Sequence, residues 1–445
     1  MRSWNGAARL RALWQEVTDS LWFLPALITL GAGALAVLLV NVDAGIDAEE
    51  RSELWWLFGG GAEGARGVLG AIAGSIITVT GVVFSVTIVA LQLASSQFTP
   101  RVLRQFMGSR PNQVVLGVFI GTFTYTLLVQ RTVRGATDDV EVFVPALAVT
   151  GAVLLALVSI GFLIFFINHA ARSIQASVVI DNIARDTLRV LALTYPEEPA
   201  IAADAPPGPA RPIGARTSGY IQAIAYDALL RTASDRDLVV RVERMPGDFV
   251  LEAQPLLAAW RTRADGSSEA AVLDEDAAEE LIGTLHVGME RTPHQDVRFG
   301  VIELTDVAVK ALSPSINDPT TAINVIDRLG EVLLALARCP PPGRARRDDA
   351  GVARVLLTRP DLSCVLDLAV NQLRHFAAGT PAVAVRLIDM LGAVSSLAPA
   401  SARACISTHI RQVLDAALRS IEDPHDRIYL STSAQRALTR DAMEA

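Results

Sequence analysis

The stretch "ERTPHQDVRFGVIELTDVAVKALSPSINDPTTA", from Glu290 to Ala322, gathers the densest set of side chains able to do chemistry in this chain. A histidine, His294, stands among Glu290, Asp296, Glu303 and Asp306, so cation binding is the first chemistry to weigh. Zinc takes a tighter cluster of His and Cys at recognisable spacing, and no metal or other cofactor is expected. Asp306 and Lys310, four apart, suit an ion pair along one helix face. Asp318 before Pro319 suits the start of a helix, with Ile323, Ile326, Leu329 and Leu333 on one side. No phosphate-cradling glycine loop and no nucleophile–base signature occurs, so the chain is not read as an enzyme. Arg291, Gln295, Asp296, Asp306, Asn317 and Asp318 are the candidate residues of this block. Helix capping and subunit contact is the favoured reading for them, and a ligand site is the alternative.

A second pattern carries a different chemistry. Gly74, Thr78, Gly81, Ser85 and Gln92 recur at spacings of four, three, four and seven, which is one helical face. The opposite face is Ile, Val, Phe and Leu. Small and hydroxyl side chains on a membrane helix serve close packing, or they line a polar pathway when several copies assemble. Both readings stay open.

The elements that position these residues follow from the distribution of charge. The chain has 445 residues, 51% hydrophobic and 19% charged, with a formal net charge of −8. That balance argues against a nucleic-acid partner, which would meet a basic face. Uncharged runs lie between Asp19 and Asp43, Arg66 and Arg101, Arg110 and Arg131, and Glu141 and Arg172. Each is long enough for a helix to cross the bilayer core, and none alternates like a strand. The first is too long for the apolar part of a cleaved signal peptide. No Asp, Glu, Lys or Arg falls inside a run, which lowers proton relay, voltage sensing and coupled transport.

Arginines orient the spans. Arg2, Arg9 and Arg11 precede the first, Arg101, Arg104 and Arg110 connect the second to the third, and Arg172 and Arg185 follow the fourth. The first connection is acidic. Lys/Arg bias marks the cytoplasmic side, so both termini are expected inside, with the lipid bilayer and sister copies as partners.

The second span is longer than it needs to be. From Val68 to Pro100 no residue is charged, which is roughly 50 Å of helix against a core of about 30 Å. Thr99 is a good N-cap and Pro100 a good first helical residue. An interfacial elbow is expected, with Ser96, Gln97, Thr99, Pro100, Arg101 and Arg104, where the chain leaves hydrocarbon and restarts along the headgroups.

Beyond the spans, "NHAARSIQASVVIDNIARDTLRVL" reads as a continuation of the fourth helix. "PEEPAIAADAPPGPARP" reads as a linker. Gly219–Ile224, Leu238–Arg244 and Phe249–Leu251 read as short strands around one helix, punctuated by Pro246-Gly247-Asp248. The turn weakly resembles barrel-sandwich modules that carry lipoyl groups, but no lysine occupies it. The three cysteines, Cys339, Cys364 and Cys405, have no metal-type spacing and read as small buried residues.

The expected fold class is an α-helical integral membrane domain of four transmembrane helices, followed by a cytoplasmic α+β domain with a small β-barrel-like part and a helical part. The divisions are a tail (1–20), the membrane domain (21–170), a helix entering the cytoplasm (171–194), a linker (195–218), a β-rich subdomain (219–262) and a mainly helical domain (263–445).

At "SVTIVALQLASSQFTPRVL" and "ALSPSINDPTTA" the chain resembles a family of bacterial predicted membrane proteins catalogued as domain of unknown function 2254. The matching positions include Gln92, Ser95, Ser96, Gln97, Phe98, Pro100 and Arg101. In the later block they include Arg291, Thr292, Gln295, Asp296, Asp306, Ser313, Pro314, Asn317, Asp318, Pro319 and Thr320. The resemblance implies a multi-pass protein of the bacterial cytoplasmic membrane and carries no activity with it. Family members often have two adjacent histidines where this chain has Asn168-His169, which speaks against a histidine-pair metal site. Two functions remain in view: a homo-oligomeric channel or pore for ions or small solutes, and a membrane-anchored sensor or scaffold.

Overall fold

The computed structural model describes residues 22–45, 57–97, 110–135, 142–173, 175–195, 206–262, 268–339 and 344–443. The chain divides into two compact units, Met1–Gln175 and Ala176–Ala445.

The first unit contains helices α1 (Phe23–Ala44), α2 (Ala62–Gln97), α3 (Arg110–Thr132) and α4 (Ala146–Ser173). All four are long and apolar enough to cross a membrane. Helix α3 is the central one: 56% of its most apolar window is buried, against 11–17% in the others. Val115, Phe119, Tyr125 and Val129 point into the bundle from it. Gly117 and Gly121 let α1 come close, since a Cβ on Gly117 would sit 2.7 Å from Ile28 Cδ1 and one on Gly121 3.3 Å from Ala32 Cβ.

Polar contacts fasten the unit at points the apolar pattern does not reveal. Thr122 Oγ1 and Ser159 Oγ lie 3.0 Å apart between α3 and α4. The Tyr125 hydroxyl donates to the Ala148 carbonyl at 2.8 Å, and Arg66 donates to the Val133 carbonyl at 2.9 Å. Asp43 is fully buried in the last turn of α1. Its carboxylate accepts the amides of Leu147 and Ala148, at 3.0 and 2.9 Å, in the first turn of α4. Asp43 therefore belongs to the first span rather than bounding it. A negative charge is unfavourable at the end of its own helix and favourable at the start of the next, where it meets unsatisfied amides.

The fourth span does not run on as one helix. Ser173 Oγ donates back to the His169 carbonyl at 2.7 Å, and the Gln175 amide folds back to Arg172 at 3.1 Å. The i−3 bond tightens the last turn, as helix ends commonly do. A separate helix, α5 (Ala176–Thr194), begins at the unit boundary and buries Val179, Ile180, Ile183, Ala184 and Leu191 inside the second unit.

The second unit is mixed α/β, and its strands form two open sheets instead of the expected barrel. The larger contains β1 (Arg211–Gly214), β3 (Leu238–Val242), β5 (Pro255–Thr262), β6 (Ser268–Ala270), β8 (Arg344–Arg347) and β9 (Ala353–Leu357), in the order β1-β5-β3-β9-β8 with β6 also on β5. β3 and β9 run parallel and the other pairs antiparallel. β9 therefore extends the sheet outward instead of closing it. The smaller sheet has the order β4-β2-β7, built from β2 (Gly219–Ile224), β4 (Phe249–Val250) and β7 (Leu285–Gly288). β1 falls within the stretch read as a linker. Ile221, Leu229, Val240, Leu256 and Leu257 lie in one core with α6 (Tyr226–Asp235) and α7 (Glu275–Ile282).

Helices complete the unit: α8 (Val297–Ala311), α9 (Pro319–Ala337), α10 (Leu362–Ala377), α11 (Pro381–Leu397), α12 (Ala400–Ser420) and α13 (Pro424–Met443). α5 packs on α8 and α9, and α11 on α9, α12 and α13.

Removing the Asp43 carboxylate orphans two amides, one buried and one half-buried. Asp43→Ala in the detergent-purified full-length protein should lower stability by about 1–2 kcal/mol, seen as a drop in Tm. An unchanged Tm would show that the contact holds nothing together.

Candidate functional site

The face of α2 bearing Gly74, Thr78, Gly81, Ser85 and Gln92 is exposed along its whole length. The opposite side, with Leu69, Ala73, Ile76, Val83 and Ala90, is buried in the unit. A Cβ placed on Gly74 or Gly81 would meet nothing within 4 Å. The hydroxyls are satisfied on their own helix: Thr78 donates to Gly74 O at 2.8 Å and Ser85 to Gly81 O at 2.9 Å. Packing inside the chain uses the glycines of α3, and this face of α2 stays outward. Helix α2 also continues through Ser96 and Gln97, so these two elbow candidates belong to the helix and not to a break in it. Thr99, Pro100, Arg101 and Arg104 lie outside the described residues.

The second candidate is built where the smaller sheet meets the start of α8. Gln295 acts as a strand edge: its Oε1 accepts the Ile224 amide at 2.9 Å and its Nε2 donates to the Ile224 carbonyl at 3.2 Å. Thr292 Oγ1 donates to the Gln222 carbonyl at 3.0 Å. These bonds pin the chain so that Asp296, next in line, points inward, its side chain only 1% exposed. There it meets Arg291 Nε at 2.5 Å and Arg298 Nε at 3.5 Å. Arg298 donates through Nη2 to Asp248 at 2.8 Å and to the Pro246 carbonyl at 2.9 Å, and Asp248 accepts the Met245 amide at 2.9 Å. Two arginines and two aspartates thus neutralise one another, with the guanidiniums 19% and 12% exposed. Gly247 completes the arrangement. Its φ is +89°, and a Cβ there would fall on the Asp296 carboxylate.

Asn317 and Asp318 do a different task. Asn317 takes a left-handed conformation, φ +48°, which asparagine tolerates better than most residues. Asp318 then caps α9: one oxygen accepts the Thr321 amide at 3.1 Å and the other the Thr321 hydroxyl at 2.6 Å. Asp306 is half-buried on α8, about 15 Å along the axis from Asp296, and does not join the cluster. Among the described residues no group of three His, Cys, Asp or Glu side chains is placed to hold a metal ion. The three cysteines are not joined in disulfides and are only half-buried, less enclosed than their sequence reading.

Arg298, Asp248 and Gly247 were not among the candidates drawn from the sequence. The Pro-Gly-Asp signal for a turn was visible, but nothing local says that the turn presses on a carboxylate 49 residues later.

Asp296→Ala should leave two mostly buried cations without their shared counter-charge, a loss on the order of 3–5 kcal/mol. Gly247→Ala should be comparably damaging although it removes no charge. Thermal unfolding and limited proteolysis of the full chain would check both, and a wild-type profile for either would refute the account. For Asp318, hydrogen bonds from the Thr321 hydroxyl and amide hold the carboxyl below its usual value of 3.8. Its contribution to stability is therefore fully present above that value and lost as pH falls through the lower, folded-state pKa. Asp318→Asn should flatten the acid limb of a stability–pH curve while leaving its neutral region little changed in slope.

A family model described as "Predicted membrane protein (DUF2254)" matches residues 18–393. An uncharacterized protein of Mycobacterium bovis and one of Mycobacterium tuberculosis are each 35% identical over 437 residues, covering 96% of this chain and 82% of their own. No solved structure matches the chain. With four bilayer-length helices in its first unit and the family's pattern running through both units, the chain belongs to the predicted membrane protein family DUF2254.

Proposed function

We propose that several copies of the chain surround an axis, each turning the Gly74–Gln92 face of α2 inward, and form a passive channel for ions or small solutes. The observation that supports this reading is the outward exposure of Gly74, Thr78, Gly81, Ser85 and Gln92 on one face, opposite the side that packs on the rest of the bundle. A closed ring of copies brings one such stripe per subunit to the centre. Hydroxyls and a carboxamide there offer weak, exchangeable bonds, which suit passage better than tight binding. With both termini cytoplasmic, as the arginine distribution indicates, the second unit would form a vestibule in the cytoplasm.

A second reading, a membrane-anchored sensor or scaffold, draws support from the convergence of Arg291, Gln295 and Asp296 in the second unit. The two readings part at one residue. In reconstituted bilayers the channel reading expects Ser85→Leu to cut conductance by roughly tenfold or more, while Ile77→Leu on the exposed apolar side leaves it unchanged. Wild-type protein that passes nothing under voltage, tension or pH steps removes the channel. The sensor reading expects Ser85→Leu to be silent.

A further inference from the structure

Beside the Asp296 cluster a cavity of about 230 Å³ opens within the second unit. It goes beyond the channel reading and does not depend on it, and it would give the sensor reading a ligand class. Three of its lining residues are arginines, Arg298, Arg346 and Arg359, against a single carboxylate, Asp296. That carboxylate is already engaged by Arg291 and Arg298. Tyr226 lines the same wall: the Arg346 guanidinium lies 5.3 Å from its ring centre, and burial pushes its phenol up, with the charges of Arg359 and Arg346 partly offsetting that rise. Arg359 itself lies over the Tyr195 ring at 5.2 Å, and Tyr195 is locked by a 2.7 Å bond to the Pro360 carbonyl. The wall is therefore built, not a chance meeting of surface side chains.

The charged side chains of the cavity are mainly donors, three arginines to one carboxylate. The buried Arg298 Nε–H has no hydrogen-bond acceptor among the described residues, and Asp296 Oδ1 is 3.5 Å away. The guanidinium groups carry donors only, in forks that match two-oxygen groups. Arg346 also pairs with Asp227, whose side chain is mostly exposed. A species that satisfies such a wall must be small, must be negative, and must offer several acceptor oxygens. Pro246, Val297 and Pro360 add an apolar side that accepts a short carbon frame. The volume lies below the usual range for drug-sized ligands, about 300–1,000 Å³, which suits a small anion better than a dinucleotide.

We propose that this cavity binds a phosphoryl group, held by Arg346, Arg359 and Arg298 with Tyr226 as an additional donor. A free phosphate compound and an anionic lipid headgroup present the same chemistry. The test uses the full-length protein in nanodiscs of phosphatidylcholine, titrated with inorganic phosphate and pyrophosphate at constant ionic strength, with thermal unfolding and calorimetry as readouts. Saturable stabilisation is expected. Arg359→Gln and Arg346→Gln should each weaken binding about tenfold. Tyr226→Phe, which keeps the ring, should weaken it several-fold, and Arg244→Gln, outside the cavity, should not. If nanodiscs of phosphatidylglycerol confer the stabilisation without added phosphate, and Arg359→Gln abolishes it, the source is a lipid headgroup. No saturable response to phosphate, pyrophosphate or phosphatidylglycerol overturns the proposal. So does an undiminished response in folded Arg359→Gln and Tyr226→Phe proteins. Neither result bears on conductance, which stands or falls by Ser85.

Discussion

Every polar group in a membrane-spanning segment must find a partner within the protein, because hydrocarbon supplies none. The hydroxyls of the first unit obey this constraint, while the buried Asn112 Oδ1 and Gln113 Nε2 at the start of α3 have no hydrogen-bond partner among the described residues. Thr78, Thr80, Ser85 and Thr87 on α2 donate to the carbonyl four residues back, as do Thr150 and Ser159 on α4. Hydroxyls therefore appear in the spans without demanding a neighbour, and they say little alone about whether water lies beside them. The buried carboxylate of Asp43 is treated the same way. Asp43 is tolerated because the first turn of α4 offers two amides with no partner in their own helix.

That constraint explains which parts of the fold were legible in the sequence. Four uncharged runs translate into four helices because length and lack of charge are the whole requirement. Strands β2, β3 and β4 were legible for a similar reason, since alternation over a few residues is a local signal. Sheet closure was not. The parallel pair Val240↔Val355 joins segments more than a hundred residues apart, and strands as short as β8 and β6 carry no pattern of their own. Without those partners the reading defaulted to a small barrel. Asp43 was misplaced because a charge was taken as the end of a span, when a neighbouring helix start makes it the natural last turn.

The candidate site divides along the same line. The capping role of Asp318 followed from two adjacent residues and was found. The motif around Asp296 was located, but its physical content, a four-charge cluster closed by Arg298 and Asp248, was not. Such a cluster is neutral in sum and leaves no trace in composition. It is also an unusual use of charge: each ion gives up hydration, and only the complete set offsets that cost. The turn at Gly247 and the strand-like grip of Gln295 on Ile224 hold the set in register.

The same residue types have opposite uses in two adjacent helices, which is the argument for treating the α2 face as an interface. Gly117 and Gly121 on α3 are spaced like Gly74 and Thr78 on α2, yet among the described residues a Cβ on Gly117 or Gly121 would meet α1, while one on Gly74 would meet nothing within 4 Å and Thr78 is exposed. Small residues confer an advantage in a membrane helix chiefly by permitting close approach of a second backbone, since lipid chains conform to large and small side chains alike. A stripe of them opposite the packed side, extended by Ser85 and Gln92, is exposed and meets no such backbone among the described residues. A sister subunit would supply it, with any polar lining falling at the axis where several copies meet.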